Sequence, residues 1–478
     1  MEHSPEALRR LVVGTLMPGF VGTTVPEWVT REHAAGLAAV CLYGANVVDP
    51  DQLAALCASL RSAAPDLVVA VDEEGGDVTR LHYPTGSNQP GNALLGRLDD
   101  TSLTRDSAAT IGRELAAYGI NLDLAPVVDV NSADDNPVIG VRSFGADAAH
   151  VARHSAAYVE GVQSVGVAAC AKHFPGHGDT VTDSHLALPT VHAEPHVLDT
   201  RELVPFRAAV AAGVACVMTS HIVVPAIDPD RPATFSPTVL GDVLRGRLGF
   251  EGVIVSDALD MAGASAETGI PEASVRALAA GCDLLCIGSE TTEDEFLEVV
   301  AAVVAAVAAG RLTARRLEDA AARVRLLSRG FMAANPLGDG SGQAASWSDG
   351  TRADALVAGF EVDAAVGAWL GMPRRAFIVQ VASDPNLAVG GVAWGPYAAG
   401  LATPEGAVPD GAKVAVVGRG LGPRHPLWAV AERLQAQGHP IITVDCGWPR
   451  GGADLVTFGG SVVVAEALGR YLGVERPA

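Results

Sequence analysis

Residues 165–189 read VGVAACAKHFPGHGDTVTDSHLALP. The opening run, Gly166–Ala171, is small and apolar with no three-to-four-residue period, the pattern of a strand buried on both faces. It then releases Lys172, His173, His177, Asp179, Asp183 and His185 within 14 positions. Pro175, Gly176 and Gly178 interrupt any helix through that segment. A buried strand that discharges polar residues at its C-terminal end into a shaped loop is how parallel α/β enzymes assemble their sites.

The same grammar recurs outward from this stretch. Short apolar runs at Leu11–Leu16, Leu37–Tyr43, Leu67–Asp72, Leu122–Val128, Gly166–Ala171, Ala215–Thr219, Gly252–Ser256 and Asp283–Ile287 alternate with Ala/Leu/Arg-rich stretches of helical character. Near-continuous apolar strands alternating with helices predict an α/β fold with a parallel sheet covered on both faces. A doubly wound open sheet and a closed (β/α)8 TIM-type barrel both satisfy that pattern. Polar groups close most of the strands, namely Asp72, Asp129, Lys172–His173, His221 and Asp257, and such one-sided convergence favours the barrel.

The barrel is expected over residues 1–335, a linker over 336–352 and a small C-terminal α/β layer domain over 353–478. The linker contains GDGSGQAASWSDG (Gly338–Gly350), rich in flexible residues. The small domain has predicted strands at Ala376–Val381, Lys413–Val417 and Ile441–Val444 and an amphipathic helix at Trp428–Gln437. Its VVGRGLGPR carries Gly418 and Gly420, but Pro423 occupies the third glycine position of a dinucleotide fingerprint, so a structural turn is favoured over a nucleotide site.

The formal charge of −22 argues against nucleic-acid binding, which needs a basic surface. The first twenty residues lack the basic and apolar regions of a signal peptide. The longest apolar run, Val299–Ala309, falls well short of the roughly 20 residues that span a bilayer. The cysteines number seven, an odd count, and lie mostly inside apolar runs. Reduced thiols in a cytoplasmic protein are therefore expected. Cys282 and Cys286 have no second ligand pair of matching spacing, so no metal centre is expected there.

Three readings of Lys172–His185 compete. His173 and His177 stand four apart, but that spacing serves a metal only on a helix, which Pro175 and Gly176 forbid. A merely structural polar loop explains single residues better than the set of six. An acid/base pair is the third reading. In an extended loop Asp183 and His185 point to the same side, and the carboxylate holds one imidazole nitrogen while the other faces a cavity. Asp257, ending the apolar run of VIVSDALDM, is a nucleophile, a metal ligand or a helix cap. Asp72 and Arg80 in AVDEEGGDVTR suit opposite sides of one polyhydroxylated ligand or a surface salt bridge, and Arg142 is the same kind of case.

KHFPGHGDTVTDSH, VDEEGGDVTR, LAPVVDVNSADDNPVIGVRSFG, MTSHI and VIVSDALDM together resemble the family 3 glycoside hydrolases, and within them the bacterial exo-β-N-acetylglucosaminidases. The likeness runs over roughly residues 10–330. It implies Asp257 as catalytic nucleophile and Asp183 with His185 as the dyad serving first as general acid, then as general base. It implies Asp72, Arg80, Arg142, Lys172 and His173 as holders of the terminal sugar's hydroxyls, His221 near the sugar's floor, and His177 and Asp179 as shapers of the loop. No cofactor is implied, and the partner is a small carbohydrate such as a muropeptide fragment or chito-oligosaccharide. Glu73 and Asp77 depart from the family's usual Gln and basic residue, and altered rim charge is the expected consequence. A histidine acid/base repels an incoming phosphate less than a carboxylate does, so a phosphorylase releasing GlcNAc 1-phosphate is the alternative. A non-catalytic sugar-binding barrel is the remote one.

Overall fold

The strand expected after Gly166 is present as Ala168–Phe174, and it is one of eight that close on themselves. The computed structural model describes residues 3–180, 182, 188–332, 347, 350–383 and 387–476. These fall into two compact units. The first comprises Met1–Glu73, Thr101–Pro137 and Ala146–Ala344, and the second Glu74–Asp100, Val138–Gly145 and Ala345–Ala478.

In the first unit the barrel strands are β1 (Leu16–Met17), β2 (Ala39–Leu42), β3 (Val68–Val71), β4 (Leu122–Asp123), β5 (Ala168–Phe174), β6 (Cys216–Thr219), β7 (Val253–Val255) and β8 (Leu285–Cys286). From β2 to β7 each strand pairs in parallel with the next in chain order. A parallel bridge from Val255 to Leu284 carries the sheet on toward β8. β8 pairs with β1, and Cys41 N–H donates to Pro18 C=O at 3.0 Å, which joins β1 to β2. The circle is a (β/α)8 barrel, as the strand-end residues predict.

Its interior is filled by alternate residues of the strands, including Ala39 and Cys41, Val68 and Ala70, Ala168 and Cys170, Cys216 and Met218, Val253 and Val255. Small and β-branched side chains suit the layers of a narrow barrel. All seven cysteines are buried and unpaired, four of them (Cys41, Cys170, Cys216 and Cys286) in this cluster.

One expected strand is corrected. Leu11–Val13, read as the start of β1, ends a helix that runs from Pro5 to Val13. Ser4 caps it through a 3.2 Å bond from Ala7 N–H, with Pro5 in the first turn. That start signal outweighs the local apolar run, and β1 shrinks to two residues.

The second unit holds a five-stranded sheet of β9 (Glu361–Val362), β10 (Ala376–Gln380), β11 (Lys413–Gly418), β12 (Ile441–Asp445) and β13 (Leu455–Val456), in the order β9-β13-β12-β11-β10. All pairings are parallel except that of β9. The helix Leu427–Ala436 packs Leu427, Val430 and Leu434 onto Val414 and Val416. The two-residue strands β9 and β13 leave too little periodicity to read from sequence. Most of the expected linker, 336–352, lies outside the described residues. Trp347 within it is buried and donates Nε1–H to Gln89 Oε1 at 3.0 Å, and a helix begins at Gly350. Among the described residues no helix is long and apolar enough to cross a membrane.

Candidate active site

In a parallel barrel every strand's C-terminal end opens on one face. On that face of the first unit stand Asp72 after β3, Asp129 beyond β4, Lys172 and His173 in β5, His221 after β6 and Asp257 after β7. Lys172 Nζ lies 2.6 Å from Asp72 Oδ1, with the lysine side chain only 3% exposed and the aspartate 18%. The pair presents its open side through the carboxylate.

Asp129 organises the next sector. Its Oδ2 lies 2.7 Å from His173 Nδ1 and its Oδ1 accepts His177 N–H at 2.7 Å. It also accepts His173 N–H at 3.2 Å. Burial pushes this carboxyl up, but the charges and hydrogen bonds of His173 and His177 outweigh it and hold it below its usual range. His177 is fully enclosed, and burial together with the neighbouring His173 holds its imidazole down to about 4, so it is neutral at pH 7. Its Nδ1 lies 2.8 Å from Thr180 Oγ1, and its carbonyl accepts from Asn136 at 3.0 Å.

The glycines of this loop are required by close approach. A Cβ on Gly178 would sit 1.8 Å from the Val130 carbonyl oxygen, and one on Gly176, at φ +132°, 2.5 Å from Glu202 Oε2. Arg201 links the loop to its support, reaching Asp179 Oδ2 at 2.5 Å and Glu202 Oε1 at 2.6 Å. Glu202 is buried, its Oε2 has no hydrogen-bond partner among the described residues, and burial pushes it up to about 7 despite Arg201. This raised value favours the native state when Glu202 is protonated. The benefit is complete below about pH 4.5 and is lost as pH rises through 7. Glu202→Gln should therefore match the parent at pH 4.5 and exceed it by on the order of 3 kcal/mol at pH 8. Urea unfolding at the two pH values measures this, and an equal gap at both would refute it.

Asp257 is half-buried. Its N–H donates to Thr219 Oγ1 at 3.3 Å and its Oδ1 accepts Ala258 N–H at 2.8 Å. The next helix begins at Ala262 behind Met261, so Asp257 is not that helix's cap. His221 is completely buried. Its Nε2–H donates to the Ala258 carbonyl at 3.0 Å and its Nδ1 lies 2.9 Å from Thr234 Oγ1, so it braces the turn that carries Asp257.

The two arginines belong to the second unit. Arg142 is buried and forms a bidentate pair with Glu74 at 2.7 and 2.9 Å. Arg80 donates to the carbonyls of Ala388 and Val389 at 2.7 and 3.2 Å. Asp183 and His185, the expected acid/base dyad, lie outside the described residues.

The expectation that Glu73 and Asp77 alter rim charge is corrected, because they are 3% and 7% exposed. Asp77 accepts Gly460 N–H at 2.9 Å and pairs with Arg419 at 3.3 Å. Glu73 N–H donates to Asp123 Oδ1 at 3.2 Å, and burial together with the charge of Glu73 pushes the Asp123 carboxyl well up. The GxG turn is structural. Asp445 accepts the N–H groups of Gly420, Leu421 and Gly447 at 2.8, 3.0 and 2.7 Å, occupying the donors a phosphate would need. Sequence reasoning missed the supporting roles of Asp129 and Glu202. The only signal for the first was its place at a strand end, and nothing local marks the second.

Residues 16–327 match the glycosyl hydrolase family 3 N-terminal domain. Beta-hexosaminidase A of Pseudoalteromonas piscicida is 34% identical over 335 residues, covering 64% of this chain and 55% of that protein. This chain thus spans about half that relative's length. A beta-hexosaminidase of Stenotrophomonas maltophilia (strain K279a) is 38% identical over 299 residues, covering 60% of this chain and 86% of the relative. The solved structure of a glycoside hydrolase family 3 beta-N-acetylglucosaminidase from Paenibacillus sp. str. FPU-7 matches at a TM-score of 0.82 with 30% identity, over 97% of this chain and 96% of that one. With its barrel, its strand-end carboxylates and a family match over most of its length, the chain belongs to glycosyl hydrolase family 3.

Proposed function

We propose that the chain is a retaining exo-β-N-acetylglucosaminidase that removes terminal non-reducing β-linked GlcNAc. The observation that carries this is Asp257: a half-buried carboxylate just after β7, whose Oδ1 accepts Ala258 N–H while its backbone N–H is held by Thr219 Oγ1. Asp72, fixed by Lys172, supports a second polar contact to a sugar hydroxyl. The relatives named for hexosaminidase activity and the Paenibacillus neighbour support the choice of sugar.

In this reading Asp257 attacks the anomeric carbon while His185, its imidazolium stabilised by Asp183, protonates the departing oxygen. The C–O bond to the aglycone breaks as the bond to Asp257 forms, through an oxocarbenium-like state. Neutral His185 then takes a proton from water, whose oxygen displaces Asp257 and gives β-GlcNAc. The usual separation of two carboxylates does not apply, since the acid is an imidazole. Arg80, Arg142 and His173 are proposed to hold the sugar and His221 to line its floor. The hydrogen bonds already made by Arg142 and His221 suit positioning as well as direct contact.

Phosphate as acceptor is tested on the same enzyme. Adding inorganic phosphate should leave the rate of GlcNAc release unchanged and yield no sugar phosphate, whereas GlcNAc 1-phosphate among the products would make the chain a phosphorylase. The buried, unpaired cysteines support action in the reducing cytoplasm, on muropeptide fragments or chito-oligosaccharides. Comparing turnover of GlcNAc–anhydro-MurNAc with chitobiose separates those substrates.

A further inference from the structure

We propose that the second unit carries its own binding pocket for a neutral saccharide. The cavity, about 540 Å³, opens beyond the C-terminal end of β10 and is lined by Gln380, Ser383, Trp394, Tyr397 and Thr403, with small apolar residues between them. That volume lies within the range of small-molecule sites, and the carboxyl ends of parallel strands are where open α/β sheets take ligands.

The aromatic residues are held in advance of any ligand. Gln380 Oε1 accepts Tyr397 N–H at 2.7 Å, and its Nε2 donates to the Trp394 carbonyl at 3.3 Å. The Arg419 guanidinium lies 4.7 Å from the centre of the Trp394 ring and is itself tied to Asp77. Yet Tyr397 is 79% exposed, the most exposed large hydrophobic residue among the described residues. An exposed aromatic ring beside a cavity, on a braced backbone, offers a stacking surface to a ligand.

The polar groups narrow the ligand class. Among the described residues, the Trp394 indole N–H, the Tyr397 hydroxyl and the Thr403 hydroxyl make no protein hydrogen bond, and no charged side chain lines the cavity. Neutral donors and acceptors beside aromatic rings suit a pyranose, whose C–H face stacks on a ring while its hydroxyls reach the polar atoms. They do not suit a phosphate or a uronate, which need cationic donors. Ser383 does not convert the pocket into a hydrolytic site. His425 Nδ1 accepts Leu427 N–H at 3.1 Å, so the proton is on Nε2, which donates to Ser383 Oγ at 2.9 Å. That imidazole cannot take the hydroxyl's proton.

Choosing a GlcNAc oligomer as the probe rests on the proposed function, but the pocket does not. Full-length Asp257→Ala protein, which cannot turn the probe over, is titrated calorimetrically with triacetylchitotriose. Two equivalents are expected. Adding Tyr397→Ala with Thr403→Val should weaken one of them at least tenfold and spare the other. If the proposed activity is wrong but the pocket is real, a single equivalent binds and the double substitution removes it. An unchanged isotherm in the substituted protein, or no binding of any neutral saccharide to its parent, overturns the pocket.

Discussion

Asp257→Ala should lower kcat on an aryl β-GlcNAc substrate by on the order of 10⁴-fold, because it removes the atom that forms the covalent intermediate. Little of this loss should come from unfolding. Asp257 is half-buried; its carboxylate gives up the bond from Ala258 N–H, while the bond from its backbone N–H to Thr219 Oγ1 is kept by alanine. Truncating it leaves His221 still braced between Thr234 and the Ala258 carbonyl, so the turn should survive. Stopped-flow with a 2,4-dinitrophenyl glycoside should show a burst of aryl release in the parent and none in the variant, and intact-mass spectrometry should find the glycosylated parent alone. Full turnover by Asp257→Ala, or a label that maps to another carboxylate, would overturn the assignment.

How the chain could be read in advance follows from the range of the interactions involved. Strand-end residues such as Lys172, His173 and Asp257 were legible because a buried parallel strand imposes a sharp change from apolar to polar at its end. The barrel was legible for the same reason, through repetition of that change. Pro5–Val13 was misread because three apolar residues in a row satisfy a buried strand locally, while the Ser4–Pro5 cap that decides the matter stands outside the run. Glu73 and Asp77 were misjudged as rim residues because burial depends on distant partners. For Asp77 these are Arg419 and Gly460, more than 300 positions away, and no local pattern announces them. The same limit hid the membership of Glu74–Asp100 and Val138–Gly145 in the second unit. It also hid Glu202, whose significance comes from its packing against Gly176.

Asp129→Ala should be the most destabilising single change at this face, by roughly 3–5 kcal/mol, because it strips a buried carboxylate from the groups it satisfies. Those groups are His173 Nδ1 and the N–H groups of His173 and His177, all away from water in the folded protein. The magnitude exceeds that of a lost surface ion pair because each orphaned donor keeps its desolvation cost. The sign of the pH effect is fixed by the direction of the shift. Asp129 is held below its ordinary 3.8, so its stabilisation is present above that value and disappears as pH falls through the lower folded value. The gap between parent and Asp129→Ala in urea unfolding should therefore be full at pH 7 and begin to shrink as pH falls below about 3.8. Asp129→Asn distinguishes charge from shape. It keeps one acceptor but turns an amide toward donors, so it should recover only a minor part of the loss. Should Asn restore full stability, shape alone would be sufficient and the charge on Asp129 would have no role in holding His173 and His177.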